Sequence, residues 1–534
     1  MGSSIQNQIL NNKLPSECDI IIIGAGISGL TASAILTKSG LKVVTVEEQA
    51  KPGGYLMGFQ RKGFSFDSSI QWLNQCQDHG FVSNVFNYIN SDHPRCDNAK
   101  RIRRYKGETF DYLLTSDPDK LRDQLIKDFP NEKEGITKFF ESCKKLGYHF
   151  DIMKNRMRSP ATMSVFEKIR FGLKMLWWVM PVWKTLKMSA EKGLAKYFKN
   201  EAIKKIFCSE EKFMSIIMPI SWAYAGDFQF PPEGGAEVFI NWLCKKITDT
   251  SSQIILNNKV EKVLIEKEKA IGVTLADGHT IRSRYIIAAC DVENLYEKML
   301  SPGAVSDDLL SRLREAELYY SSITLFVGLD CDADVLGIQE ELTCITADNK
   351  ARKDHFSGNP HKSSLIVQSP SAKDKTLAPR GKSTLSIHCA AWIDYQNFWQ
   401  TDKHLERGNA YKDFKQQFAD ILIARVEKAL NVNIKKHIEV LEIATPITYW
   451  RYTKNKNGSI MGARPTNKNI KNKLAHYNTP IKNLFLAGHW AEYGGGIPIA
   501  IKAAANVSLL VLNEIKNQDF YKLRDVMDGK IYSK

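Results

Sequence analysis

The fold is decided by the stretch Ile20-Ile21-Ile22-Ile23-Gly24-Ala25-Gly26-Ile27-Ser28-Gly29-Leu30. Its consecutive β-branched residues predict a buried strand, and the glycines that follow predict a tight turn into a helix over 31–39. In such a turn Gly24 permits the bend, Gly26 lets the backbone approach a pyrophosphate, and Gly29 lets helix and strand pack closely. The unpaired N–H groups at the helix N-terminus favour an anion. The stretch therefore predicts a dinucleotide-binding site.

The sequence after this helix completes a βαβ unit. An alternating strand over 42–46 ends at Glu47, which stands 23 residues after Gly24 and can accept hydrogen bonds from a ribose that carries no phosphate. A second glycine-rich region follows, with Lys51-Pro52-Gly53-Gly54 and Gly63-Phe64-Ser65-Phe66-Asp67. It stands where a long, extended cofactor would continue past its adenine half. Because NAD domains rarely carry this extension, we expect FAD.

Another glycine-rich turn lies near the end of the sequence. The short strand Leu484-Phe485-Leu486-Ala487-Gly488 precedes Gly494-Gly495-Gly496-Ile497-Pro498 and an apolar helix from Ile499 to about Ile515. Proline suits the first turn of a helix because its missing N–H is not needed there. A helix whose N-terminus points at a flavin ring would stabilise the negative charge that develops on reduction. The alternative is an ordinary buried helix.

Together these motifs resemble the phytoene desaturase, carotenoid isomerase and retinol saturase group of flavoproteins, which share the architecture of the amine oxidases. The resemblance runs nearly end to end. It also includes Phe230-Pro231-Pro232-Glu233-Gly234-Gly235, the strands over 254–260 and 285–291, and Thr445-Pro446-Ile447-Thr448-Tyr449-Trp450-Arg451-Tyr452-Thr453. The chain departs from the group at His489, where many members have an acid. The resemblance therefore implies the cofactor class and leaves the substrate open.

The residues expected to bind FAD lie on the glycine turns and on the strand that holds the adenine in the group. They are Gly24, Ala25, Gly26, Ser28, Gly29, Glu47, Glu48, Gly53, Gly54, Val260, Gly488, Gly495, Gly496 and Ile497. The ten cysteines are scattered, with no CxxC pair, which predicts reduced thiols, no disulfide and no metal site.

Four side chains near the expected flavin ring are candidates for proton transfer or charge stabilisation: Asp67, Arg451, His489 and Glu492. The last three form the predicted catalytic set. Each candidate has a second interpretation. Asp67 can fix a turn, Arg451 can bridge strands or hold a phosphate, and Glu492 can bind ribityl hydroxyls. His489 can shuttle a proton near neutral pH or donate a hydrogen bond to the cofactor.

Positive charge is concentrated in one segment. Of the net charge of +15, residues 168–205 contribute +8, with ten basic and two acidic side chains. This segment includes the apolar run Met175-Leu176-Trp177-Trp178-Val179-Met180-Pro181-Val182-Trp183, which is shorter than the about 20 residues that span a bilayer. Such a basic, tryptophan-rich segment suits a membrane interface, and the alternative is a solvated helix with a buried aromatic face. Because no nucleic-acid recognition fold accompanies the charge, we expect no nucleic-acid partner.

The flavin motifs lie at the start, middle and end of the 534-residue sequence, so the cofactor domain must be discontinuous. We expect an α/β fold in which a Rossmann-like FAD-binding domain covers 15–90, 220–300 and 440–515. An α+β substrate domain, with a mixed sheet and a helical insertion, covers 91–219 and 301–439. The polar first fifteen residues lack the apolar core of a signal peptide, which favours a cytoplasmic protein bound peripherally to a membrane.

These expectations predict an FAD-dependent oxidoreductase acting on carbon–carbon bonds of a long hydrophobic polyene or isoprenoid, of carotenoid or retinoid type. It would act as a desaturase, an isomerase or a saturase. An external electron acceptor, oxygen or a quinone, is expected because no separate NAD fingerprint is visible. Two alternatives stay open: an amine-oxidase-like enzyme on a smaller substrate, and a non-catalytic prenyl-binding protein of the GDP-dissociation-inhibitor type.

Overall fold

The computed structural model describes residues 14–69, 72–151 and 157–530. The strands in these ranges are β1 Glu17–Ile23, β2 Val43–Val46, β3 Gly58–Arg61, β4 Phe64–Asp67, β5 Arg101–Lys106, β6 Asp111–Thr115, β7 Gln253–Ile255, β8 Val260–Glu266, β9 Lys269–Leu275, β10 Thr280–Ala288, β11 Ser321–Leu329, β12 Leu342–Ile345, β13 Leu365–Gln368, β14 Ser383–Ala391, β15 Ile438–Ala444 and β16 Leu484–Leu486. The right-handed α-helices of five or more residues are α1 Ile27–Lys38, α2 Phe81–Ile89, α3 Pro118–Asp128, α4 Lys133–Asp151, α5 Val165–Val179, α6 Ala190–Leu194, α7 Glu201–Ile206, α8 Phe213–Tyr224, α9 Glu237–Thr248, α10 Asp307–Arg314, α11 Asn409–Leu430, α12 Pro446–Thr453, α13 Asn467–Lys471, α14 Ile497–Glu514 and α15 Asp519–Met527.

The first sheet contains the predicted Rossmann-like unit. Its parallel strands run in the order β7-β2-β1-β10-β16. Numbered along the chain, this order is 3-2-1-4-5, which matches five strands of the 3-2-1-4-5-6 sheet of dinucleotide-binding folds. Strands β9 and β8 continue from β10 in antiparallel order. Helix α1 is buried along almost its whole length because α9 and α14 pack against it. The predicted α/β fold with a discontinuous cofactor-binding unit is confirmed.

The second sheet is mixed, as predicted, and runs in the order β15-β11-β14-β13-β12-β5-β6. Its one parallel pair joins β12 to β5, and α11 contributes apolar side chains to the core beneath it. Strand β15 pairs with β11, so residues 440–444 belong to this sheet. The boundary drawn at 440 was therefore wrong for these residues, because an alternating strand shows its burial pattern but not its partner. The other domain boundaries stay predictions.

Helices α3 to α8 form the helical insertion, which lies between β6 and β7 in the sequence. The insertion has a separate hydrophobic core that includes Phe139 and Phe140. Helix α5 is held at both ends. Near its start, Arg158 pairs with Glu167 at 2.8 Å, and near its end the Trp178 indole donates to the His149 carbonyl at 2.9 Å. Between these ties, no residue of α5 is fully buried.

One helix in the described part of the chain, α14, is long and apolar enough to cross a membrane. It is 72% buried inside the protein, where it packs on α1 as a core helix.

Candidate flavin and substrate site

The cofactor cavity lies at the carboxyl edge of the first sheet, where distant parts of the sequence meet. The turn after β1 and the N-terminus of α1 form one side, and the residues between β16 and α14 form the other. The Gly488 amide donates a hydrogen bond to the Ser28 hydroxyl at 3.0 Å, which joins the two sides directly. In α/β folds with parallel sheets, ligands bind at the carboxyl edge of the sheet.

Two glycines of the first turn are explained by the space around them. A Cβ on Gly29 would lie 2.0 Å from the carbonyl oxygen of Gly24, so a side chain there would push the helix away from the turn. A Cβ on Gly26 would meet nothing within 4 Å and would project into the cavity. The first turns of α1 and α14 also have no side-chain cap, so their N–H groups can bind a ligand. Two open helix N-termini fit an extended, anionic cofactor such as a flavin nucleotide.

Glu47 stands at the end of β2, as predicted. One carboxylate oxygen accepts a hydrogen bond from the Ala25 amide at 2.7 Å, and the other accepts one from the Gln49 amide at 3.0 Å. Burial raises the pKa of Glu47 above its ordinary value, and the two hydrogen bonds oppose that shift. The carboxylate is thereby fixed in the cavity wall, where it can accept hydrogen bonds from a ribose.

Most of the residues predicted to bind the cofactor line this cavity. They are Gly24, Gly26, Ser28, Glu47, Glu48, Gly53, Gly54, Val260, Gly488, Gly496 and Ile497. Ala25 and Gly29 shape the turn without lining the cavity, through the hydrogen bond to Glu47 and the close helix contact. Gly495 lines the neighbouring cavity instead.

The cofactor cavity also contains residues that were not predicted, among them Tyr55, Asp291 and Asn294. Asp291 is buried, and its carboxylate accepts hydrogen bonds from the backbone amides of Asn294 and Lys456, each at 3.0 Å. Burial raises the pKa of Asp291 above its ordinary value. The sequence does hold a signal for this carboxylate, because it follows a buried strand directly and the carboxyl ends of parallel strands share one edge.

A second, larger cavity of about 1100 Å³ adjoins the first. Aromatic and aliphatic side chains form most of its wall, including Trp72, Phe150, Met218 and Trp222. The two cavities share the residues Ser69, Ile460, Met461, Gly496 and Ile497, so they meet at the N-terminus of α14. A ligand in the larger cavity would touch the cofactor there.

The structure places His489 and Glu492 in the walls of these two cavities, one in each. His489 lines the cofactor cavity with its ring stacked on Tyr55 at a centroid distance of 6.4 Å, and burial lowers the pKa of His489 to about 4. Glu492 lines the larger cavity, where it accepts hydrogen bonds from the Tyr477 hydroxyl at 2.6 Å and the Lys502 ammonium at 2.9 Å. The histidine is therefore neutral at pH 7, and the charge of the glutamate is already paired.

Arg451 and Asp67 line neither cavity. Arg451 is exposed on the last turn of α12, where its guanidinium lies over the Tyr452 ring at 5.1 Å. The carboxylate of Asp67 accepts a hydrogen bond from the Ala236 amide at 3.0 Å just before α9, and burial raises the pKa of Asp67 to about 7. The structure thus supports the second interpretation of Asp67, as a group that fixes a turn, and does not bring Arg451 to the site.

Comparisons with known proteins agree with this geometry. The chain is 25% identical over 527 residues to the all-trans-retinol 13,14-reductase of Danio rerio, covering 91% of this chain and 84% of the relative. It is 25% identical over 505 residues to the chloroplastic prolycopene isomerase of Daucus carota, covering 90% and 78%. A solved putrescine oxidase shares the fold, with a TM-score of 0.59, 12% identity, and coverage of 94% of this chain and all of that one. The family model for flavin-containing amine oxidoreductases matches residues 27–512, and the chain therefore belongs to that family.

Proposed function

We propose that the protein is an FAD-dependent oxidoreductase that acts on carbon–carbon bonds of a long hydrophobic polyene or isoprenoid, of the carotenoid or retinoid type. The observation that carries the proposal is the junction at the N-terminus of α14, where a large, mostly apolar cavity opens onto the cofactor cavity. A substrate in the larger cavity would lie against the reactive part of the cofactor. Relatives named for reactions of retinol and prolycopene support the same substrate class.

When bound, the flavin would supply the redox step, accepting a hydride from carbon or giving one to it. The chain's own residues set the surroundings of that step. The N-terminus of α14 places the positive end of a helix dipole at the junction, where it favours negative charge. His489 adds no positive charge, since burial keeps its pKa near 4. Glu492 adds no free negative charge, because Lys502 pairs with it. The site therefore offers the substrate an environment with little uncompensated side-chain charge.

The outer face of α5 supports peripheral membrane contact. Phe166, Ile169, Leu173, Trp177 and Met180 are each at least 60% exposed, and their spacing of three or four residues places them on one side of the helix and its continuation. Exposed apolar side chains in one continuous stripe mark an interaction surface. The exposed basic residues Lys168, Arg170 and Lys174 lie on the same helix, which favours an anionic lipid surface over a neutral protein partner.

The inner face of the same helix lines the larger cavity, which we call the substrate cavity from here on. Phe171, Met175 and Trp178 belong to the cavity wall, while Leu173 and Trp177 point outward. One helix therefore separates the cavity from the proposed membrane surface. We infer that the substrate passes from lipid into the cavity beside α5.

Product analysis tests the proposed function. The cofactor is released from purified protein by heat and identified as FAD by chromatography. Oxidised and photoreduced protein are then incubated anaerobically with a carotenoid, with a retinoid and with a small diamine. The products are separated by chromatography and identified by mass spectrometry. A desaturated, saturated or isomerised polyene is the expected product.

A Gly26→Val variant, whose side chain would enter the cofactor cavity, is the control for chemistry that does not need the cofactor. Oxidation of the diamine with no change in any polyene would contradict the proposal in favour of an amine-oxidase-like enzyme. Protein purified without any flavin would favour the prenyl-binding alternative.

A further inference from the structure

His388 is one of two buried histidines in the wall of the substrate cavity whose Nε2 has no hydrogen-bond partner among the described residues, and His355 is the other. It lies on β14, is 8% exposed, and is paired across the sheet with Thr324 on β11. Its Nδ1 is 3.1 Å from the Thr324 hydroxyl oxygen. No described side chain or backbone group lies within hydrogen-bonding distance of its Nε2.

A chain of hydrogen bonds fixes which nitrogen of His388 carries the proton. The Tyr449 hydroxyl donates to the Ser68 carbonyl at 3.1 Å, so its one proton is used there. We infer that the 2.8 Å contact between Tyr449 and Thr324 then uses the Thr324 proton, because the Ser68 carbonyl can only accept and the Thr324 hydroxyl can donate. Thr324 consequently accepts from Nδ1–H of His388. Nearby Ser322 does not disturb this order, because it can donate to the backbone carbonyl of Ile323 at 3.0 Å.

The imidazole is neutral, because burial lowers the pKa of His388 to about 4 and no charged group opposes that shift. A neutral ring with its proton on Nδ1 has a lone pair on Nε2. The cavity therefore presents a hydrogen-bond acceptor within a mostly apolar wall. A ligand that leaves a buried acceptor unpaired pays the desolvation of that atom, whereas a ligand with a matching donor does not.

We propose that Nε2 of His388 accepts a hydrogen bond from a hydroxyl group of the substrate, so that this protein selects a polyene alcohol over the corresponding ether, ester or hydrocarbon. The inference rests on the proposed function, since it assumes that a polyene occupies the cavity. His388 determines specificity, and Thr324 and Tyr449 position it by holding its tautomer.

Ligand binding separates this inference from the proposed function. The probes are all-trans-retinol and its methyl ether, which have the same polyene and differ in the hydroxyl proton. Their dissociation constants are measured by fluorescence titration of the flavin-loaded protein. The wild type is expected to bind the alcohol about tenfold more tightly than the ether, the usual size of one buried hydrogen bond. His388→Phe should bind both probes equally, with the affinity of the wild type for the ether.

Two further variants keep the test sharp. Thr324→Val leaves the ring in place but removes the group that fixes its tautomer, so the preference should shrink there as well. His355→Phe changes another buried histidine of the same cavity and should keep the full preference. Flavin content and circular dichroism show that each variant is folded.

Equal binding of both probes to the wild type would overturn the inference alone, as would a preference that persists in His388→Phe or disappears in His355→Phe. Failure of both probes, and also of a carotenoid, to bind the wild type would overturn the proposed function together with the inference.

Discussion

Replacing Trp177 by alanine should weaken the binding of the protein to anionic vesicles. Trp177 lies on the outer face of α5 and is 65% exposed. A tryptophan offers about 200 Å² of surface, so about 130 Å² would leave water on insertion into the membrane interface. At about 25 cal/mol per Å², this burial contributes about 3 kcal/mol. The substitution should therefore lower the partition coefficient about 100-fold.

Flotation with vesicles of phosphatidylcholine and phosphatidylserine measures this change. Val335→Ala is the matched control, because Val335 is 74% exposed and lies outside α5, beside the second sheet. Wild-type binding should also fall as salt increases, since basic residues near the surface each contribute about 1 kcal/mol that salt screens. If Trp177→Ala floats as well as the wild type, α5 is not the membrane contact and its stripe binds something else.

Three other changes have expected outcomes. Gly26→Leu should give folded protein without flavin, because the leucine side chain would fill the cofactor cavity. Gly408→Ala is the control, since a Cβ there also meets open space but lies outside the site, and this variant should keep the flavin. The flavin absorbance of the purified proteins distinguishes the two outcomes. Because burial lowers the pKa of His388 to about 4 from an unfolded value near 6.5, its neutral form contributes stability above pH 6.5 that is lost as the pH falls toward 4. This loss amounts to about 2 kcal/mol by pH 5, and urea midpoints should show less acid sensitivity in His388→Phe than in the wild type. Arg101→Ala should destabilise the protein by about 3 kcal/mol, since it leaves Glu341, whose side chain is 1% exposed, buried without its partner; a urea midpoint equal to that of the wild type would contradict this.

The cofactor side of the molecule was predictable because its signals are local. The glycines of the first turn, the acid after β2 and the glycines before α14 each act within a few residues of a strand end. Asp291 is the instructive omission. It acts at the site only because β10 pairs with β1, and these two strands are more than 250 residues apart in sequence. A carboxylate directly after a buried strand indicates a site at a sheet edge, but the partner of that strand, and therefore the site that the carboxylate joins, is set only by the tertiary structure.

Helix geometry explains the different positions of Arg451 and Tyr449. Two residues apart on a helix are about 200° apart around its axis, so Tyr449 points inward to Thr324 while Arg451 points to solvent. The motif that contains them indicated the region of the site but not the side chain that enters it. His388 was missed for a related reason: in a strand with an apolar pattern, one histidine gives no sign that its ring faces a cavity.

Composition alone predicted that the segment containing α5 is unusual. Charge and tryptophan content in 168–205 predicted a segment that differs from the rest of the surface, with two interpretations open. In the structure α5 has no fully buried residue, whereas Val182 at the end of the apolar run is buried, and contact with a membrane stays a proposal. The exposure of α5 depends on the ties at its two ends, Arg158 with Glu167 and Trp178 with His149, which hold the helix over the cavity with its stripe outward.

Whether this flavoprotein acts on a polyene can be read from the anaerobic absorption spectrum of the purified protein, recorded with and without a polyene alcohol. We expect that the polyene either bleaches the oxidised flavin or reoxidises the photoreduced flavin, or that the polyene bands shift while the flavin stays reduced. These three results correspond to desaturation, saturation and isomerisation. Flavin and polyene bands that stay unchanged in both redox states, for every carotenoid and retinoid tried, would contradict the proposed function.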